Sequence, residues 1–140
     1  ALAPLADVIK VSDEDLALIT PREEIPAIAR RWIAGGTALV IVTRGSAGAL
    51  AFGRSFETQC PGIQVKVEDT VGAGDTFQAA LLAGLKRLGA TDRKSLEQLD
   101  GARVNRLLEF AVQAAAITCS RRGADLPRIA ELQKEWSKLI

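Results

Sequence analysis

The 140-residue chain contains 48% hydrophobic and 25% charged residues, an ordinary composition for one globular domain with a substantial core. Its 18 basic and 17 acidic residues give a net charge of +1, which leaves no surplus positive field for nucleic acid or an anionic membrane surface. Because histidine is absent, Ser-His-Asp and Cys-His catalysis are excluded within the chain, and any general base must be a carboxylate, a lysine or a cysteine.

The two cysteines, Cys60 and Cys119, are too few for a disulfide framework and are predicted to be free thiols. No basic segment followed by an apolar run opens the chain, and no apolar stretch approaches the ~20 residues that a membrane helix needs. These features predict a cytoplasmic protein with no membrane partner. Methionine is absent and the first residues resemble the middle of a domain, so we expect a fragment or a processed product.

The N-terminal third alternates between strand and helix signals. A β-branched run over residues 7–11 predicts a strand, and Ser12 followed by three acidic residues predicts the start of a helix that reaches Ile19. Pro21 is predicted at the first position of an amphipathic helix that Gly35 and Gly36 end. The apolar run 38–43 suits a strand buried on both faces.

The rest of the chain continues the alternation. Residues 44–48 predict a turn, and residues 49–52 and 56–60 predict a hairpin around Gly53. A long helix from Phe77 to Leu88 is predicted after the glycine-rich segment 71–74. Residues 90–102 predict a connection with a single helical turn, 104–119 a core helix, and Pro127 to Trp136 a terminal helix. This order predicts an α/β layered architecture.

The segment from Asp69 to Phe77, with the sequence DTVGAGDTF, carries the clearest chemistry. Glycines at 72 and 74 let the backbone turn tightly and bring N–H groups together at the positive end of the following helix. Such a turn attracts phosphate oxygens. The chain has neither the P-loop pattern nor G-x-G-x-x-G, so a P-loop nucleoside triphosphatase and a dinucleotide-binding fold are unsupported.

Asp75 lies beside this turn, where its negative charge competes with an anion for the same amides. A carboxylate in this unfavourable position is better explained by a chemical role than by a structural one. In phosphoryl transfer to an alcohol, a carboxylate within hydrogen-bond reach can take the proton of the attacking hydroxyl. Asp75 is therefore a candidate general base, and the amides of residues 73–75 are candidate donors to the transferring group. The alternative is a purely structural turn in which Asp75 caps the helix.

This segment resembles the second signature of the PfkB-type carbohydrate kinases, the ribokinase and fructokinase family. The resemblance implies that Asp75 is the catalytic base and that Gly72, Ala73 and Gly74 form the anion hole for the γ-phosphate. It also implies a ribokinase-like three-layer α/β/α sandwich with a mostly parallel sheet plus a β-hairpin.

Two further segments extend the resemblance toward ATP and Mg²⁺. Residues 42–48 resemble the family's T-x-G-x-x-G segment, which implies nucleotide contacts at Thr43, Gly45 and Gly48 beside those at Gly74. Residues 9–15 resemble the segment with the N-x-x-E motif, although serine and aspartate replace its asparagine and glutamate. The resemblance implies a nucleotide role for Ser12 and a Mg²⁺ role for Asp15, and a plain helix cap stays the alternative.

Residues 110–124 resemble the family's helix and turn that border the adenine and a monovalent-cation site. The resemblance implies that Val112 faces the adenine, where many members have a polar residue. It also implies a K⁺ site whose oxygen ligands belong to Asp69, Val71, Thr118, Arg121 and Gly123. For Arg121 and Arg122, a solvated helix end whose charges complement the helix dipole is the alternative to a direct nucleotide role.

The resemblance covers residues 1–140 as the C-terminal nucleotide-binding and catalytic-base portion of such a kinase, without the N-terminal sugar-binding and lid portion. It implies an ATP-dependent sugar kinase, foremost a fructokinase, whose substrates are a small sugar and ATP and whose whole protein could be a homodimer. This portion alone is expected to be inactive. Ribokinase, 2-keto-3-deoxygluconate kinase and nucleoside kinase are alternatives within the family, and a nucleotide-binding module without activity is the alternative outside catalysis.

Overall fold

The computed structural model describes residues 6–65, 70, 72–121 and 127–139. Four strands and six α-helices follow one another, with short 3₁₀ turns at Gly45–Ala47 and Ile129–Leu132. The strands are β1 (Val8–Ser12), β2 (Leu39–Thr43), β3 (Ala49–Gly53) and β4 (Glu57–Cys60). The helices are α1 (Asp13–Ile19), α2 (Ile25–Ala34), α3 (Ala73–Arg87), α4 (Arg93–Glu97), α5 (Gly101–Cys119) and α6 (Gln133–Ser137).

The four strands form one sheet in the order β1-β2-β3-β4. Strands β1 and β2 are parallel, whereas β2 with β3 and β3 with β4 pair antiparallel as two successive hairpins. The sheet of the described residues is therefore mixed. Ser12 pairs with Thr43 at the ends of the two parallel strands, so the segments that follow β1 and β2 start at the same edge.

Helices cover both faces of the sheet. Leu39 and Ile41 belong to a core cluster with α3 and α5, whereas Val40 and Val42 pack in a second cluster with α1 and α2. Because successive side chains of a strand point to opposite faces, this alternation places β2 between two helical layers. The predicted three-layer α/β/α architecture is confirmed. The contact between α3 and α5 is extensive and fixes the first turn of α3 against the end of α5.

The predicted strands lie within a residue of their expected bounds, but four helix starts were wrong. Helices α2, α3, α5 and α6 begin at Ile25, Ala73, Gly101 and Gln133 instead of Pro21, Phe77, residue 104 and Pro127. Helix α2 begins at Ile25, and Pro26 rather than Pro21 lies in its first turn. Proline is tolerated there because the first N–H groups of a helix have no intrahelical partner. Cys60 and Cys119 are free thiols, as predicted. Within the described ranges, no helix is long and apolar enough to cross a membrane.

Candidate active site

A cavity of about 350 Å³ opens at the edge where β2 ends. Three separate parts of the chain form it: the turn between β2 and β3 with the segment after β4, the first turn of α3, and the C-terminal half of α5. The predicted site residues that line it are Thr43, Gly45, Gly48, Ala73, Gly74 and Val112. The fold thus brings together residues that three different sequence segments had suggested.

Glycines shape the wall formed by the two loops. Gly48 has a φ of 99°, in the left-handed region that favours glycine, and a Cβ there would collide with the backbone of Cys60. A Cβ at Gly62 would collide with the carbonyl group of Ser46. The two loops therefore pack backbone against backbone, which keeps this wall thin and free of bulky side chains.

The opposite wall is one face of α5. Val112, Ala115, Ala116 and Cys119 line the cavity, and their spacing of three, one and three residues places them on one helical stripe. These side chains are small or apolar, so the stripe offers a smooth surface to a flat ring. The expected position of Val112 beside the adenine is compatible with this wall.

The first turn of α3 forms a third wall of the cavity, which Ala73 and Gly74 line. Gly72 has a φ of 83° and precedes the helix as its N-cap residue. The Ala73 N–H donates to Thr70 O over 3.2 Å, and the Thr76 N–H donates to Gly72 O over 2.8 Å. Among the residues that the structure describes, none accepts a hydrogen bond from the N–H of Gly74 or Asp75. No described acceptor therefore competes with an anion for these two amides at the positive end of the helix.

Gly74 differs from Gly72 in why glycine suits it. Its φ lies outside the positive region, and a Cβ built on it would meet no atom within 4 Å. Neither backbone conformation nor packing therefore requires glycine at position 74. Because Gly74 lines the cavity, its bare backbone leaves room for a ligand to come close to the amides of the turn.

Asp75 lies in the first turn of α3 and is exposed. Its carboxylate makes no hydrogen bond or ion pair to any described residue, so the structure does not show it as a helix cap. Asp75 is not among the residues that line the cavity, but it follows Gly74, which does, and its exposed side chain can turn toward a hydroxyl that approaches from solvent. This position suits a general base, which must reach the proton it removes.

Ser12 and Asp15 do not line the cavity. The Ser12 hydroxyl accepts a hydrogen bond from the Asp15 N–H over 3.1 Å, so Ser12 is the N-cap of α1 and the helix-cap interpretation is observed. The Asp15 carboxylate is exposed at the same edge of the sheet as Thr43. A role in nucleotide or Mg²⁺ binding stays a prediction for both residues.

Two of the five predicted cation ligands, Thr118 and Arg121, lie within the described residues. Thr118 is fully buried, its hydroxyl is hydrogen bonded to that of Thr76 at 2.8 Å, and its carbonyl accepts the Arg121 N–H over 3.1 Å. The Arg121 side chain pairs with Glu131, which lies in the 3₁₀ turn before α6. The other three predicted ligands, Asp69, Val71 and Gly123, lie outside the described residues. Within the described part, no group of three or more acidic or cysteine side chains could hold a metal.

Sequence reasoning missed the segment after β4 as part of the cavity. Gly62, Ile63, Gln64 and Val65 line it. Residues 61–65 form no strand in the structure. The Pro61-Gly62 dipeptide was the available signal, because it marks a loop that can fold back over a neighbouring turn.

Comparisons with known proteins agree with this geometry. The sequence profile of the pfkB family carbohydrate kinases matches residues 1–131. A fructokinase from Rhizobium leguminosarum bv. trifolii is 37% identical over 99 residues, which cover 71% of this chain and 30% of that protein.

Two solved structures share the fold. Fructokinase from Xylella fastidiosa, with bound ATP, superposes with a TM-score of 0.83 at 25% identity over 97% of this chain and 44% of that one. Fructokinase from Vibrio cholerae, bound to fructose, ADP and calcium, has a TM-score of 0.74 at 31% identity over 95% of this chain and 42% of that one. The chain spans between 30% and 41% of the length of the curated relatives it matches.

Proposed function

This chain belongs to the pfkB family of carbohydrate kinases, and we propose that it forms the nucleotide-binding and catalytic-base part of an ATP-dependent sugar kinase that acts on fructose. The observation that carries the proposal is the shared cavity. An apolar helical stripe, a glycine turn and the N-terminus of α3, where no described residue accepts the amides of Gly74 and Asp75, meet in one space of about 350 Å³. A flat ring, a linker and an anion are the three parts of a nucleotide that such walls suit.

In this arrangement the adenine lies against the stripe of α5 that contains Val112, and the turn at Gly45 and Gly48 flanks the ribose and phosphates. The γ-phosphate meets the N–H groups of Gly74 and Asp75. Backbone donors aimed at a transferring group lower the barrier because they need no reorganisation during the reaction, and one such donor is typically worth about 10²–10³ in rate.

Asp75 acts as the general base in the proposed reaction. Its carboxylate takes the proton of the sugar hydroxyl as the hydroxyl oxygen bonds to the γ-phosphorus. The bond between that phosphorus and the β,γ-bridging oxygen breaks, and ADP leaves with the electron pair. Proton removal of this kind typically contributes about 10²–10⁴ in rate.

The residues proposed for Mg²⁺ and for K⁺ differ in exposure, since Asp15 is exposed and Thr118 is buried. Mg²⁺ prefers hard oxygen ligands and keeps several waters, which suits an exposed carboxylate such as Asp15 acting through water beside the phosphates. The ion would neutralise charge on the phosphates when bound. A K⁺ role for Thr118 stays a prediction, because its hydroxyl and carbonyl oxygens make hydrogen bonds but each oxygen has two lone pairs.

Fructose is proposed as the acceptor because curated relatives and one solved neighbour above 30% identity are fructokinases. Because the chain spans only 30% of the Rhizobium relative, we propose that the sugar pocket lies in the portion that the chain does not span, and that the chain alone binds nucleotide without turning over sugar. A cytoplasmic location fits the two free thiols.

The test is a calorimetric titration of the chain with Mg-ATP, repeated on a cavity-filling variant. Ala115→Leu adds three carbons to the α5 wall and should weaken ATP binding at least about tenfold, since bulk there occupies the space of the ring. Ala79→Leu, on an exposed position of α3, is the control and should bind as the unmodified chain does. Absence of ATP binding, or equal affinity in Ala115→Leu, would contradict the proposal.

A further inference from the structure

Two buried hydroxyl groups connect α5 to the first turn of α3. Thr76 and Thr118 are 3% and 0% exposed, and their Oγ1 atoms are 2.8 Å apart. The Thr76 Oγ1 also donates to the carbonyl of Gly72 over 2.8 Å. The chain of hydrogen bonds thus runs from the end of α5 to Gly72, the N-cap residue of α3.

The direction of each hydrogen bond follows from the number of protons. A threonine hydroxyl has one proton, and the Gly72 carbonyl can only accept. The Thr76 hydroxyl therefore donates its single proton to the Gly72 carbonyl, and the Thr118 hydroxyl must be the donor between the two threonines. Thr118 fixes the rotamer of Thr76, since threonine in a helix otherwise divides between two χ1 positions.

Gly72 is the place where this restraint matters. Its carbonyl accepts from both the N–H and the hydroxyl of Thr76, each over 2.8 Å, while its own φ is 83°. In a trans peptide the carbonyl and the next N–H point in opposite directions. A carbonyl held toward the helix fixes the peptide plane that Gly72 shares with the Ala73 N–H, which donates to Thr70 O, and so sets the start of the turn in which Gly74 and Asp75 lie.

We propose that Thr118, acting through Thr76, is a positioning residue that holds the anion-binding turn in its binding orientation. A valine at either position would have nearly the same shape and would avoid burying a hydroxyl, so packing alone does not account for the pair. The inference rests on the proposed function, because it assumes that the amides of Gly74 and Asp75 receive a phosphate.

The experiment compares the affinity for ATP with the affinity for adenosine in the 140-residue chain. Thr118→Val removes the donor and should lower ATP affinity about two- to tenfold, the usual effect of one hydrogen bond. Adenosine affinity should not change, since adenosine has no phosphate to meet the turn. Thr118→Ser keeps the hydroxyl and should restore the ratio of the two affinities.

Thr37→Val is the matched control. Thr37 is 1% exposed and precedes β2, at the end of the strand opposite Thr43, so its loss tests the general effect of removing a buried hydroxyl. If Thr118 is merely structural, Thr118→Val will lower the melting temperature and leave the ratio of ATP affinity to adenosine affinity unchanged. That result would overturn the inference. If Thr118→Val does not fold, Thr118→Ala is measured in the same way. Failure of the unmodified chain to bind ATP would instead overturn the proposed function.

Discussion

Gly74→Ala separates stability from ligand binding at the turn before α3. Gly74 has no positive φ, and a Cβ on it meets nothing within 4 Å, so alanine adds no strain. Alanine is favoured over glycine in a helix interior by about 1 kcal/mol, and less near the N-terminus. We therefore expect the free energy of unfolding to rise by up to about 0.5–1 kcal/mol, which corresponds to a rise in melting temperature of roughly 2–4 °C.

The same methyl group should harm nucleotide binding. It would occupy space on the cavity side of the helix, where the proposed phosphate approaches the N–H groups of Gly74 and Asp75. A displaced phosphate that loses one charge-assisted hydrogen bond loses about 1.5–3 kcal/mol, or about 10- to 150-fold in affinity. The assays are thermal unfolding without ligand and calorimetric titration with Mg-ATP.

Gly35→Ala is the control for this prediction. Gly35 ends α2 with a φ of −79°, and a Cβ there would make only ordinary contacts at 3.5 Å with the carbonyl oxygens of Arg31 and Trp32. It should fold with unchanged ATP affinity. If Gly74→Ala bound ATP as tightly as the unmodified chain, the turn would not be the phosphate site and the reasoning would be refuted.

Three further predictions concern a loop glycine, the N-cap of α4 and the two thiols. Gly48→Ala should destabilise the chain by at least about 2 kcal/mol in urea unfolding, because its φ of 99° and the adjacent Cys60 backbone leave no place for a Cβ; a loss below about 0.5 kcal/mol would contradict this. Hydrogen bonds from Ser95 lower the pKa of Asp92 below its usual 3.8, so the Asp92 carboxylate stabilises the chain above that pH and the contribution is lost as pH falls through the lowered pKa. Asp92→Asn should therefore lower the urea midpoint at pH 7 and have a smaller effect at pH 3, and an equal effect at both would count against the cap. Burial raises the pKa of the Cys60 thiol, with the charge of Glu109 adding to the effect, whereas Cys119 lines the cavity. A thiol reagent at pH 7.5 should modify Cys119 first, and Mg-ATP should slow that modification; equal rates with and without ATP would place the nucleotide elsewhere.

The layers of the fold were predictable because local patterns and tertiary packing agree. The apolar run that became β2 and the capped start of α1 needed no knowledge of long-range contacts. The start of α2 was not predictable in the same way, since Pro21 and Pro26 are both acceptable at a helix start and the choice depends on packing against the sheet.

The site was predictable only in part. The glycine turn and Asp75 are local features of sequence, so their roles were open to inference before the fold. The association of residues 62–65 with α5, and the bond between Thr76 and Thr118 across 42 positions, depend on how distant segments meet. No spacing rule within one element reveals such contacts.

The base assignment is tested most directly by replacing one carboxylate oxygen. In the longest protein that contains this chain, Asp75→Asn should lower kcat for fructose phosphorylation at least about 10²-fold while the Kd for ATP stays within about twofold. Glu24→Gln is the control and should keep full turnover, because Glu24 is exposed and its side chain makes no capping hydrogen bond at the N-cap of α2. An Asp75→Asn enzyme that phosphorylates fructose as fast as the unmodified protein would contradict the account.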